Sequence, residues 1–407
     1  MNLQIIGITA EYNPFHNGHR WQLQAIRERF GNVPVIACMS GCFVQRGEIA
    51  LTDPWCRAAM AVHAGVDLVL LLPSWYSLRS ADYFAAGAVK TLAATGLVST
   101  LVCGAEQSDG SSLAETAAWS LLAETEQQVK MLLQQGLSYG GAWETAAVQN
   151  HKDDRWFKGA NNLLALAYQK AVLQNNLPVS LLTLPRQGSS YNETELTPPY
   201  ASASAIRTAL RLDFSPAYLA SVLPEDSAAL LRLNEINYSA LFTRQEEILT
   251  LLLTCLLIHY NSHDLYEQSS ASQDLCDRFL NAKPALQQGY NAFCRKIANK
   301  RDPLPSVRRL ALQLLLHKGR AFWTDTPEPA FLRVLAFNDR GRGLLKGMKE
   351  TAKLPVIIKP GSKDQYKNTA LYPLLQLDAD AVDLYQLLNG NTGIYGTYFT
   401  TSPFYVK

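Results

Sequence analysis

The sequence has no CxxC pair, no internal repeat, no low-complexity tract and no apolar run long enough to cross a bilayer. Its seven cysteines, Cys38, Cys42, Cys56, Cys103, Cys255, Cys276 and Cys294, are an odd set without paired spacing. That excludes a disulfide framework or a structural zinc site as the organising device and suits reduced thiols in a cytoplasmic protein. The first residues lead straight into an apolar stretch, without the basic leader and small-residue cleavage site of a secretory signal. The longest apolar run, residues 249–258, is about half of the roughly 20 residues a membrane span needs and reads as buried helix. No membrane partner is expected. Charged residues make up only 18% of the chain against 48% apolar, a balance that excludes long disordered stretches.

A chain of 407 residues exceeds the size at which a single core usually stops growing, so two domains are expected. The net charge is +2 but unevenly held. Residues 283–359 carry 16 Lys and Arg against 5 Asp and Glu, whereas residues 1–282 carry 18 against 26. One C-terminal stretch therefore supplies nearly all of the positive field, as a polyanion-binding surface or a solvated helical face would.

Short apolar runs at residues 3–9, 33–39, 66–72, 99–103 and 180–184, bounded by Gly, Pro or Ser, predict strands of a buried parallel sheet. Helical patterns at 19–30, 53–64 and 81–94 lie between them, which gives an α/β, Rossmann-like, doubly wound alternation. The fourth connection, residues 111–174, is much longer, contains helical patterns at 142–149 and 161–173, and reads as an insertion packed beside the ligand crevice. After residues 204–207 the alternation stops. Residues 218–347 predict successive amphipathic helices, with breaks near 261–272, 283–284 and 302–303, and residues 354–358 and 395–405 look strand-like. The expected division is an α/β domain over 1–213 and a mainly helical domain over 214–407 whose tail returns to a sheet.

Chemistry concentrates where the first strand ends, in Glu11-Tyr12-Asn13-Pro14-Phe15-His16-Asn17-Gly18-His19. Pro14 stops the strand because it cannot donate to the ladder, and a helix follows at once. Ligands of open α/β sheets bind beyond the carboxyl ends of strands, and the free N–H groups of a helix start attract anions. His16 and His19 can share one face of that first turn, and Gly18 lets a nucleotide approach the backbone. The pair can donate to phosphate oxygens as charge develops on them; the same spacing would also serve a metal. A second element, Ser202-Ala203-Ser204-Ala205-Ile206-Arg207, sets two hydroxyls and a guanidinium at another helix start, after the fifth strand. Arg207 can fork onto phosphate oxygens, while Ser204 could also serve as a cap. Ser40, Gln45, Arg46 and Glu48, at and just past the end of the second strand, are candidates for holding substrate. His63, His151, His259, His263 and His317 have no partner at useful spacing and read as structural.

These two elements resemble those of the HxGH nucleotidyltransferases. Together with residues 40–48 and Asn161-Asn162 they resemble the bacterial tRNA(Met) cytidine acetate ligase family over essentially the full length. The resemblance implies ATP contacts along Gly7, Ile8, Thr9, Ala10, Glu11, Tyr12, Asn13, Pro14, Phe15, His16, Asn17, Gly18, His19 and Arg20. It also implies contacts at Gly104, at Asn161 or Asn162, and at Arg186 with Gln187; Ser202 and Ser204, placed at a helix start that suits phosphate, join the expected ATP contacts, and His16, Gly18, His19 and Arg207 form the expected catalytic set. In that family ATP and acetate give acetyladenylate, and the acetyl group passes to N4 of the wobble cytidine of elongator tRNA(Met). Cys42, Ile49 and residues 103–106 depart from the family's usual Asn, Pro and FGSE-like run.

No carboxylate cluster calls for a protein-held metal, so Mg²⁺ is expected to arrive with ATP. Acyl-adenylate formation needs positioning and charge stabilisation rather than a covalent enzyme intermediate. The candidate surface for the RNA backbone is Arg295, Lys296, Lys300, Arg301, Arg308, Arg309, Lys318 and Arg320. Two other functions fit the motifs: a cofactor-biosynthesis nucleotidyltransferase joining AMP to a phosphate monoester, and a non-catalytic RNA-binding protein on a nucleotide-binding fold.

Overall fold

β2 (Val35–Ser40), apolar up to its last residue, and β3 (Leu68–Leu72), all Leu and Val, are buried at every position. Helices cover both faces of a parallel sheet, which is why its strands read as continuous apolar runs rather than alternating ones. The computed structural model describes residues 4–185, 198–233, 235–325 and 327–407. β1 (Ile6–Ala10), β4 (Thr100–Ala105) and β5 (Ser180–Pro185) complete the five parallel strands, within a residue or three of the predicted runs.

The sheet order is β5-β4-β1-β2-β3-β6-β7, with β8 beside β6. The chain winds outward from β1 to β3, then returns to place β4 on the other side of β1. That reversal opens a crevice beyond the carboxyl ends of β1 and β4, where ligands of such sheets sit. Helices α1 (Asn17–Phe30), α2 (Pro54–His63) and α3 (Ala81–Ala93) connect these strands. The long insertion forms α4 (Gly110–Ser120), α5 (Ala123–Gln134), α6 (Tyr139–Gln149) and α7 (Ala160–Gln174). An aromatic cluster of Trp119, Trp143 and Phe157 holds the insertion together, and α7 packs on α3 and β4 to form a wall of the crevice.

Helix α8 (Ala203–Arg211) ends at the expected domain boundary, and the sheet crosses it. Beyond it lie α9 (Tyr238–His259), α10 (Tyr290–Ile297), α11 (Leu304–Leu316), α12 (Asp339–Thr351) and α13 (Tyr372–Leu388), with shorter helices between. The expectation of successive helices over residues 218–347 is wrong at one place: Leu332–Phe337 is a buried strand, β6, antiparallel to β3. Pro327 and Pro329 stop any helix before it, and Asn338 caps α12 straight after. Arg333 hides the apolar run in the sequence, yet it is buried, with its guanidinium given to the carbonyls of Val334, Ile358 and Thr401. The tail returns as expected: β7 (Val356–Ile357) and β8 (Phe404–Tyr405) both pair parallel to β6.

Candidate active site

The crevice is a cleft of about 1380 Å³, counted out to its open mouth, and the end of β1, the start of α1, the start of α7 and the start of α8 all border it. His16 and His19 line it together. His16 is the N-cap of α1: its Nδ1 accepts from the Gly18 amide at 3.1 Å, and its own amide donates to His19 Nδ1 at 3.3 Å. With both Nδ1 atoms accepting from backbone, each neutral imidazole carries its proton on Nε2. The rings stack with centroids 3.8 Å apart, and Tyr12 meets the His19 ring edge-on at 4.8 Å. A Cβ on Gly18 would lie 2.9 Å from His16 Cε1, so only glycine leaves this pair undisturbed.

The α8 element faces the same space. Ser202 Oγ caps α8 by accepting from the Ala205 amide and sits 3.0 Å from Ser204 Oγ. Both serines line the cleft, so the capping expected of Ser204 falls to Ser202. Arg207 also lines it, with one nitrogen on the Asn13 carbonyl and another on Glu48 Oε2, each at 2.7 Å. Asn13 is buried. Its Oδ1 accepts from the Leu51 amide, which fixes the amide orientation, and its Nδ2 has no hydrogen-bond partner among the described residues.

Glu11 accepts from the Gln45 amide at 2.6 Å. Burial pushes its carboxyl above the usual carboxylate range, against the pull of that amide, Arg46 and Arg207. Glu48 behaves oppositely. Burial alone would raise it, but Arg207, Arg308 and Arg46 outweigh burial and hold it ionised below the usual range. Arg57, which the motifs did not single out, is fully buried and grips the carbonyls of Glu11, Ser40 and Gly41, so it ties the ends of β1 and β2 together.

The remaining candidates divide by position. Thr9, Ala10, Glu11, Tyr12, Gly104, Asn161, Gln45 and Arg46 line the cleft. Gly7 faces Leu101 and Val98 inside the fold, and Ile8 and Phe15 are core residues. Pro14 is buried and Arg20 is exposed, neither of them in the cleft wall. Asn17 donates to the carbonyls of Pro199 and Ser221. The Ser40 carbonyl is held by Arg57. Asn162 turns into the wall, where its Oδ1 accepts from the amides of Glu106 and Gln107 while Glu106 accepts from Asn161 and Asn162. Arg186 and Gln187 lie outside the described residues. Sequence reasoning missed Trp21, Gln22, Phe84, Leu164 and Tyr168, which also line the cleft. The positions 161, 164 and 168 recur at helical spacing on α7, a face that would have pointed to two of them.

The basic cluster splits in half. Arg295, Lys296, Lys300 and Arg301 are exposed. The other four are partly buried, and each is engaged by groups of the protein itself. Arg308 donates to Glu48 and Asn291, and Arg309 to the Gln45 carbonyl and Ser306. Burial and the charge of Arg79 push Arg309 down to about 10. Lys318 pairs with Asp380, and Arg320 feeds the carbonyls of Tyr266, Ser269 and Ala271. The basic residues of α12 are remote as well, since that helix is anchored to Asp67 at the amino end of β3, opposite the cleft.

No helix among the described residues is long and apolar enough to cross a membrane, and no group of three or more His, Cys, Asp or Glu there could hold a metal ion. Residues 3–395 match the HIGH Nucleotidyl Transferase family. The tRNA(Met) cytidine acetate ligase of Syntrophomonas wolfei subsp. wolfei is 34% identical over 98% of this chain and 99% of its own. That of Thermoanaerobacter sp. (strain X514) is 31% identical over 97% and 98%. Among solved structures, apo Thermotoga maritima TmcAL superposes with a TM-score of 0.88 at 28% identity, covering 99% of both chains. The same protein bound with alpha-thio ATP gives 0.85 at 27% identity, again over 99% of each chain.

Proposed function

Because the chain belongs to the tRNA(Met) cytidine acetate ligases within the HIGH nucleotidyl transferase family, we propose that it activates acetate with ATP and transfers the acetyl group to N4 of the wobble cytidine of elongator tRNA(Met). The observation that carries this reading is the paired imidazoles, both held by backbone amides in the tautomer that donates from Nε2, beside a buried Asn13 amide whose donor lacks a partner among the described residues. Donors fixed before the substrate arrives need no rearrangement as charge builds on phosphate oxygens. Gly104, Asn161 and the Tyr168 side of α7 supply the nucleotide wall. Mg²⁺ enters on the ATP phosphates, keeping most of its water.

In the first step an acetate oxygen attacks the α-phosphorus and pyrophosphate leaves. In the second, the N4 lone pair bonds to the acetyl carbon, the carbon–oxygen bond to the phosphate breaks, and AMP departs with that electron pair. The N4 proton passes to water. A tRNA substrate places the activity in the cytoplasm. The test is to incubate the protein with ATP, labelled acetate and elongator tRNA(Met). Label is expected in acid-stable form on the wobble cytidine, with AMP as co-product. Activity on a phosphate monoester instead of acetate would replace this reading with that of a cofactor nucleotidyltransferase, and no turnover at all would leave an RNA-binding protein.

A further inference from the structure

A second, smaller pocket, about 550 Å³ counted out to its open mouth, lies against the first. The loop after β2 borders both: Gln45 and Arg46 line the cleft, Gly47, Glu48 and Ile49 line the pocket, and Arg207 lines both. The pocket's far wall belongs to the helical part of the chain, with Phe242 and Glu246 from α9, Tyr290 and Asn291 from α10 and Arg308 from α11. One polar chain runs through it, from Arg207 to Glu48, Arg308, Asn291 and Glu246, with contacts of 2.6–3.2 Å.

Within it Glu48 pairs with Arg207 and Arg308, and Glu246 accepts from Asn291. Arg211 stands outside this chain of bonds, near enough to Glu48 and Glu246 to feel their charge. It sits four residues after Arg207 on the same face of α8, is exposed, and lays its guanidinium 4.0 Å from the centroid of the Phe242 ring. It makes no hydrogen bond or ion pair to any described residue. A guanidinium held flat by an aromatic ring keeps its N–H edge available for a phosphate or a base carbonyl.

We propose that this second pocket is the acceptor site, which takes the extruded cytidine nucleotide of the RNA, with Arg211 binding that nucleotide's phosphate or its O2. The proposal rests on the acetyl-transfer reading and deepens it. An amine that attacks an acyl-adenylate must approach from outside the nucleotide cleft yet within bonding reach of the acyl carbon. A pocket that adjoins the cleft across Arg207 and the loop carrying Glu48 suits both demands. Its aromatic rings, Phe242 and Tyr290, and the exposed Arg211 guanidinium suit a splayed loop nucleotide.

The experiment uses full-length protein, its Arg211→Ala and Arg211→Lys variants, and two RNA hairpins that differ by a cytidine or a uridine at one loop position. Wild type should acetylate the cytidine hairpin and ignore the other; failure there removes the acetyl-transfer reading itself. Given that result, Arg211→Ala should lower kcat/KM for the cytidine hairpin roughly 10- to 100-fold, with Arg211→Lys in between, while the acetate-dependent exchange of pyrophosphate into ATP keeps its wild-type KM values. Two outcomes overturn the proposal: wild-type transfer by Arg211→Ala, or a raised KM for acetate in exchange, which would make the pocket an acetate site.

Discussion

At the scale of single residues, the site works through acceptors and donors placed by backbone. His16 and His19 each give Nδ1 to an amide, so neither ring is free to change tautomer without losing a cap hydrogen bond at the start of α1. Gly18 is the third member of that arrangement, because any side chain there meets the His16 ring. Gly18→Ala should therefore fold normally yet lose about 100-fold in acetate-dependent exchange, the cost typical of displacing a catalytic group by an ångström. Circular dichroism alongside the exchange assay checks it, and wild-type exchange would mean the ring tolerates displacement. The motif residues were legible in the sequence because a helix start after a strand limits what two histidines can do. Asn162 and Asn17 were harder to read. An amide side chain caps or latches backbone as readily as it binds a nucleotide, and only the partners decide which.

At the scale of elements, Glu48 is the joint between the sheet and the helices, bridging Arg207 of α8 and Arg308 of α11. Its depressed pKa means that it contributes stability above its unfolded value, and that this is lost as pH falls through the folded one. Glu48→Gln would leave two guanidiniums poorly paired. With the Glu48 side chain 25% exposed, a loss of roughly 1–3 kcal/mol is expected, read from urea midpoints. Gly47, at φ +67 with the Arg308 backbone close by, lets the loop approach α11 closely enough to make the bridge. Arg308→Glu should consequently impair acetate activation as well as RNA transfer, which a purely RNA-binding arginine would not. Reversing the exposed Arg295, Lys296, Lys300 and Arg301 to Glu should spare activation and flatten the salt dependence of tRNA binding by about one unit for every phosphate the protein no longer neutralises. An unchanged salt slope would move the RNA elsewhere. Charge density in the sequence located the basic segment but could not separate these two groups, because pairing with Glu48, Gln45 or Asp380 joins residues more than 60 positions apart along the chain. Strand β6 was hidden for a related reason: Arg333 breaks its apolar run, and only the carbonyls it meets in the fold make it a core residue.

At the scale of the whole molecule, the C-terminal part is anchored to the sheet rather than tethered beside it. β6 extends the sheet at β3, and Asp378 of α13 accepts from the Ser74 amide just past the end of β3 at 2.7 Å. Burial raises the Asp378 carboxyl to about 7, so the stability it supports is present below its unfolded value and declines as pH rises from about 4 towards 7. Asp378→Asn keeps an acceptor for Ser74 and should flatten that decline; a comparison of urea midpoints at about pH 5 and about pH 8 should find the variant gaining on wild type at the higher pH. Such anchoring lets the cleft at the end of the sheet share Arg207 with a pocket walled by the helices and the loop after β2. The central claim is that this cleft makes acetyladenylate, and acetate-dependent exchange of labelled pyrophosphate into ATP, without tRNA, tests it most directly. Exchange that requires acetate and disappears in His19→Ala is the predicted result. Exchange that ignores acetate, or that persists in a well-folded His19→Ala variant, would contradict it.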